Sequence, residues 1–143
     1  MFRQLTSRVY ASPQIGLGEV AEAARLGIGM IINNRPEEES DDQTPGPEIA
    51  AAAQAAGIGY VAIPVTHAGF SQPQISAMSA ALAASPGPAL AYCRSGTRST
   101  LLWALAEASE GVSPHSLSAA AAKAGYDLSP VRALLDMLAA KRD

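Results

Sequence analysis

Three short apolar runs, each set off by glycine or proline from a stretch with helical spacing, constrain this chain more than any other feature. They are Ile28 to Asn33, Tyr60 to Val65 and Pro88 to Ala91. Each is too short for a buried helix and reads as a buried strand. Arg8 to Ser12 adds a first strand, followed by a turn from Pro13 to Gly16. Leu17, Val20, Ala21 and Ala24 then fall at helical spacing before Gly27, and Ile49, Ala52, Ala53 and Ala56 do so before Gly57. Pro73 suits a first helical turn, with Ile75, Met78 and Leu82 as its buried face. Strands alternating with helices predict an α/β fold, a central, mostly parallel sheet flanked by helices.

The last third is helical. Ser113-Pro114 and Ser129-Pro130 both place a serine N-cap before a proline at the first helical position. Leu117, Ala120, Ala121 and Ala124 follow the first, and Val131, Leu134, Leu135 and Leu138 follow the second. With 143 residues the chain suits one domain, residues 1–143, in which about 112–143 form a helical C-terminal extension. A domain of that size buries about 68–70% of its unfolded surface.

Between the last short strand and the next helix lies Tyr92-Cys93-Arg94-Ser95-Gly96-Thr97-Arg98-Ser99, which contains the only cysteine. The first N–H groups of a helix lack intrahelical partners, and the aligned peptide dipoles put partial positive charge there. A loop curling before that end adds inward-pointing N–H groups and makes an anion nest. Gly96 allows backbone angles that a side chain would block. Thiols at helix ends ionise readily, so the expected product is a thiolate beside a cradle for the anion it attacks.

The formal charge is -3, with ten basic residues that form no stripe, so neither a nucleic-acid nor a membrane surface is expected. No apolar run approaches the ~20 residues of a bilayer span, and Met1 to Thr6 lacks the apolar core of a signal peptide. A lone reactive thiol suits a reducing compartment, and the expectation is cytoplasmic. One cysteine and two histidines, His67 and His115, offer no zinc-type spacing, so no metal and no cofactor are expected. The acidic run Glu37-Glu38-Glu39-Ser40-Asp41-Asp42 reads as a solvated face. Its functional alternative is a lid over the anion site, with Arg35 at its base.

Cys-Arg-Ser-Gly-Thr-Arg-Ser resembles the active-site loop of two cysteine enzyme groups, the rhodanese sulfurtransferases and the protein tyrosine or dual-specificity phosphatases. Phosphatases place the arginine six positions after the cysteine, and rhodaneses commonly use a loop one residue shorter. Here Arg98 stands five after Cys93. Val9 to Gln14 and Leu26 to Asn33 are similar to the opening of a dual-specificity phosphatase. Together with Asn33-Asn34-Arg35-Pro36-Glu37 and Tyr60 to Val65, they resemble the phosphatase-like domain of beta-lactamase hydrolase-like proteins over about residues 2 to 110. That resemblance implies a cysteine-dependent phosphatase-like fold. In the resembling family this domain also occurs fused to a metallo-β-lactamase-like domain, which makes a separate enzyme of that kind a conceivable partner.

Both chemistries begin with Cys93 as nucleophile. Phosphate esters expel a poor leaving group that needs a proton, and in the resembling phosphatases an aspartate on a loop after an earlier strand supplies it. The matching stretch, Pro64 to Gln72, holds no carboxylate, only His67. Sulfur transfer from thiosulfate or a persulfide releases sulfite or a thiolate and needs no acid. The short loop and the missing acid together favour a sulfurtransferase working through a Cys93 persulfide. The alternative is a phosphatase working through a Cys93 phosphoenzyme on small anionic esters. A redox sensor is disfavoured, because no second cysteine can resolve a sulfenic acid. By resemblance, Arg98 binds the anion with its planar fork, and Arg94 either shares that role or pairs on the surface. Ser95, Gly96 and Thr97 supply loop N–H groups. Ser99 donates to the sulfur or caps the helix.

Overall fold

The computed structural model describes residues 1–142. In chain order the elements are β1 (Arg3–Thr6), β2 (Val9–Ser12), α1 (Leu17–Arg25), β3 (Met30–Asn33), α2 (Gly46–Ala55), β4 (Gly59–Ala62) and α3 (Gln72–Ala84). They continue with β5 (Ala89–Tyr92), α4 (Thr97–Ser109), α5 (Pro114–Lys123), a 3₁₀ turn (Ser129–Val131) and α6 (Arg132–Arg142). The five strands lie in the order β1-β2-β5-β3-β4. β5 is central and runs parallel to β2 and β3, and β4 is parallel to β3. β1 adds an antiparallel edge that the sequence pattern did not reveal, since Arg3-Gln4-Leu5-Thr6 buries only Leu5.

Apolar residues cover both faces of the sheet. One core gathers Ile15, Val20, Ala23, Ile31, Ile49, Ala53, Leu90 and Tyr92 beneath α1 and α2. The larger one packs Ala91, Ile75, Met78, Trp103, Leu105, Leu117 and Leu135 between the sheet and α3 to α6. α4 is the hub of the second face. From Ser99 to Ala106 every residue is buried, as expected of a helix enclosed on all sides. Trp103 serves that packing.

Register decides where a site can form. Ser12 and Asn33 both pair with Tyr92, and Asn33 also pairs with Ala62, so four parallel strands end at one edge. The loops after β2, β3, β4 and β5 therefore converge there, at the carboxyl ends where open α/β sheets bind ligands.

Some details differ from the periodicity reading. In α1 the buried residues are Val20 and Ala23, while Leu17 is 52% exposed, so the inward face is turned from the predicted one. At the last helix, Ser129 is not the cap. Asp127 accepts from the Ser129 N–H at 2.9 Å and from its hydroxyl at 2.8 Å, and a 3₁₀ turn precedes α6. Ser113 does cap α5, accepting from the Ser116 N–H at 3.3 Å. Among the described residues no helix is long and apolar enough to cross a membrane.

Candidate functional site

Cys93 follows the last residue of β5 and is fully buried, with its N–H bonded to the Ser12 carbonyl at 3.3 Å. The next three residues turn so tightly that the Gly96 N–H donates back to Cys93 Sγ at 3.1 Å. Gly96 stands at φ 94°, a left-handed angle that glycine adopts without strain, and it caps α4. Ser95 Oγ accepts from the Thr97 N–H at 3.3 Å and donates to Thr97 Oγ1 at 3.0 Å, so the Thr97 amide already has a partner. Arg94 is exposed, and its carbonyl accepts from the Gln14 N–H at 3.2 Å. Ser99 neither reaches the sulfur nor caps the helix. Its hydroxyl donates to buried Asn34 Oδ1 at 2.7 Å, and Asn34 Nδ2 donates to the Ile63 carbonyl at 2.9 Å. Ser99 thus ties α4 to the ends of β3 and β4.

Arg98 is not idle. Nη1 donates to Glu39 Oε2 at 2.7 Å and to the Val65 carbonyl at 2.7 Å, and Nη2 donates to Glu39 Oε1 at 2.9 Å. The planar fork holds both oxygens of one carboxylate, a bidentate geometry suited equally to phosphate. Glu39 is held from the other side by Arg35 Nε at 2.9 Å. Arg35 is 4% exposed and also donates to Gln14 Oε1 at 3.0 Å and Ser40 Oγ at 3.1 Å. Hydrogen bonds from Arg98 and then Arg35 pull the Glu39 pKa down to about 2. The same partnership raises the Arg98 pKa.

The acidic run is therefore not simply a solvated face. Glu39 turns inward, and Glu37 accepts from the Gly46 N–H at 2.8 Å at the start of α2. Residues Glu39, His67, Arg94, Ser95 and Arg98 line a pocket of about 220 Å³ beside the cysteine loop. A water molecule occupies about 30 Å³ in the liquid, so the pocket has room for a group much larger than one sulfur atom. Sequence reasoning missed Glu39, Gln14 and Asn34 as neighbours of the loop. It also missed Tyr126, whose hydroxyl donates to the Ser95 carbonyl at 3.1 Å. Glu39 carried a faint signal, four residues after Arg35 beside an anion loop. Gln14, Asn34 and Tyr126 carried none.

A buried cysteine at the carboxyl end of a central parallel strand, in a loop closed by an arginine on the following helix, is the architecture of the cysteine-dependent phosphatases. Residues 1–110 match the family described as beta-lactamase hydrolase-like protein, phosphatase-like domain, and the chain belongs to that family. A beta-lactamase hydrolase-like protein of Xylella fastidiosa is 36% identical over 107 residues, 75% of this chain and 25% of that protein. The chain thus spans about a quarter of the length of the curated relatives it matches. A crystal structure from Neisseria meningitidis, described as a candidate phosphatase, is 33% identical with a TM-score of 0.83, covering 95% of this chain and 96% of that one. The fold alone is shared with Tk-PTP in its active form, at 17% identity and a TM-score of 0.74, covering 98% of this chain and 97% of that one.

These relationships overturn the sulfurtransferase expectation and favour the phosphatase alternative. The physical reason lies in how the site is assembled. The loop from Pro64 to Gln72 indeed lacks a carboxylate, but the loop after β3 delivers Glu39 to the same pocket. A carboxylate missing from one segment is present at the site through another. Beside the cysteine loop, the space that Glu39, His67, Arg94, Ser95 and Arg98 line is roomy enough for a tetrahedral oxyanion.

Proposed function

We propose that this protein is a cysteine-dependent phosphatase that hydrolyses small phosphate monoesters through a Cys93 phosphoenzyme. The observation that carries this reading is the Arg98 fork, which already grips a two-oxygen anion, Glu39, beside the cysteine loop. In the reaction, two oxygens of the phosphoryl group take the place of the Glu39 carboxylate on Arg98. The Gly96 N–H and the helix-end field of α4 add further positive potential. Arg94, exposed at the pocket rim, draws the anion in.

Displacement changes the chemistry of Glu39. It loses the Arg98 hydrogen bond that chiefly keeps it ionised and faces a new anion, so its proton affinity rises. A substrate arriving as the monoanion passes its proton to that carboxylate. Cys93 Sγ then attacks phosphorus, the P–O bond to the leaving group breaks, and Glu39 returns the proton to the departing oxygen. Water next attacks the thiophosphate, Glu39 takes its proton and passes it to the phosphate as the S–P bond breaks, and inorganic phosphate leaves with the Cys93 thiolate and the Glu39 carboxylate restored. A reducing, cytoplasmic setting keeps the thiol competent.

The test is rapid mixing with p-nitrophenyl phosphate, acid quench and intact-protein mass measurement. A transient adduct of one phosphoryl group on Cys93, with phosphate release lost in Cys93→Ser, is expected. Phosphate release undiminished in Cys93→Ser overturns the reading.

A further inference from the structure

The peptide unit joining Ser95 to Gly96 is held at both ends. On one side the Gly96 N–H points inward and donates to Cys93 Sγ at 3.1 Å. On the other, the Ser95 carbonyl accepts from the Tyr126 hydroxyl at 3.1 Å. A trans peptide is planar, with C=O and N–H on opposite sides, so fixing the carbonyl fixes the aim of the amide. We propose that Tyr126 is a positioning residue that locks this peptide against flipping, so that an N–H and not a carbonyl oxygen faces the sulfur and the bound oxyanion.

Tyr126 comes from the helical C-terminal segment, outside the residues 1–110 that match the family. Its own placement is firm. It is 9% exposed, and its N–H bonds to the Ala121 carbonyl at 2.9 Å, behind a Gly125 at φ 91°. Arg3 of the edge strand β1 lies 5.3 Å from the ring centroid and donates to the Ala124 carbonyl at 3.1 Å. A Cβ on Gly96 would collide with the Tyr126 hydroxyl and come within 3.3 Å of the Ser12 backbone carbon, so the glycine makes room for the lock as well as for the turn. Burial raises the Tyr126 pKa, and the phenol stays a donor across the working range. A flipped peptide would aim a carbonyl dipole at an anion, which reverses the sign of the contact that stabilises it.

The lock bears on the phosphatase reading through its effect on turnover, and its structural arm is independent of activity. Tyr126→Phe removes the hydroxyl and keeps the ring against Arg3. It should melt within a few degrees of the unchanged protein, yet the Gly96 amide should exchange with solvent about tenfold faster, as expected when one hydrogen bond is lost. Orthovanadate, which resembles the five-coordinate transition state, should bind about tenfold more weakly, with inorganic phosphate less affected and kcat falling more than KM rises. Arg3→Gln should move the same quantities in the same direction by less, and it carries the test if Tyr126→Phe does not fold. Gly96 exchange, vanadate affinity and kcat all unchanged in Tyr126→Phe overturn the proposal. Faster Gly96 exchange in a protein that binds no oxyanion at all would leave the lock standing and remove the phosphatase reading instead.

Discussion

Two loops reach the pocket beside the cysteine loop from neighbouring strands, and they are built in opposite ways. The loop after β3 is braced from end to end. Asn34 bonds to Ser99 and to the Ile63 carbonyl, Arg35 to Gln14, Glu39 and Ser40, and Glu37 to the start of α2. Gln43 closes it, accepting from the Glu39 and Ser40 N–H groups at 3.0 and 3.3 Å and donating to the Pro36 carbonyl at 2.9 Å. The loop after β4 gives the site one backbone group, the Val65 carbonyl, and then runs exposed from Thr66 to Gly69. Placement for chemistry needs side chains held to a fraction of an ångström. The braced loop provides such a group in Glu39, and the open one offers only solvent-facing His67.

The largest effect should come from the arginine that both loops touch. Arg98→Ala removes the fork from Glu39, from the Val65 carbonyl and from the substrate together. On the scale of losing a preorganised oxyanion donor, kcat/KM for p-nitrophenyl phosphate should fall about 10²–10³-fold. Arg98→Lys keeps the charge and loses the paired geometry, so it should recover only a minor part of that loss. Full recovery with lysine would show that the bidentate contact seen with Glu39 is not the one substrate uses.

Glu39→Gln sharpens the comparison. It releases Arg98 from a competing anion, so KM for aryl phosphates should fall. It also removes the proton carrier, so the rate of Cys93 phosphorylation should drop about 10²-fold for phenyl phosphate and little for p-nitrophenyl phosphate, whose leaving group needs no proton. Equal effects on both esters would assign Glu39 to holding Arg98 alone. The β3 loop would then be a brace and not a source of the acid.

The sequence disclosed some of this and hid the rest for identifiable reasons. The α/β order, the parallel sheet and the position of Cys93 between β5 and α4 were legible because apolar period and glycine stops report local structure directly. β1 was hidden because an edge strand with one buried side chain has no apolar pattern to show. The site carboxylate was missed because it was sought in the segment after β4, where resemblance placed it, whereas Glu39 stood in a run whose charge density suggested solvent. Long-range pairs such as Glu39 with Arg98, or Tyr126 with Ser95, leave no trace in periodicity. The convergence of four strand ends on one edge brings the first pair together, and the docking of the segment after α5 against β1 brings the second.

Acid tests the brace at smaller scale. Glu39 is held at a pKa of about 2 against an ordinary 4.5. A lowered carboxylate stabilises the folded state fully above the ordinary value, and that contribution is lost as pH falls from about 4.5 toward 2. The Glu39–Arg98 pair is partly solvated, so screening should hold its share to about 1 kcal/mol or less. Denaturant midpoints of the unchanged protein and Glu39→Gln should therefore converge between pH 4.5 and 2. A gap that stays constant over that interval would mean that the ion pair is not what links this loop to stability. Gln43→Ala, which unties three hydrogen bonds around Glu39 without touching Arg98, should raise KM severalfold at unchanged charge.

The smallest effect is expected on the open loop. His67 lines the pocket but is exposed, and among the described residues the segment Thr66 to Gly69 is held by the Ala68 N–H to Thr66 Oγ1 at 3.1 Å and the Gly69 N–H to the Thr66 carbonyl at 3.3 Å. A side chain so loosely held spends little time at any one reacting atom, so its loss should cost little in the transition state. His67→Ala should leave kcat/KM for both aryl phosphates within about threefold of the unchanged protein and leave the leaving-group dependence intact. A loss concentrated on phenyl phosphate, as large as that expected of Glu39→Gln, would reverse the comparison. The proton would then come from the open loop, and the bracing around Glu39 would serve only to hold Arg98 until substrate arrives.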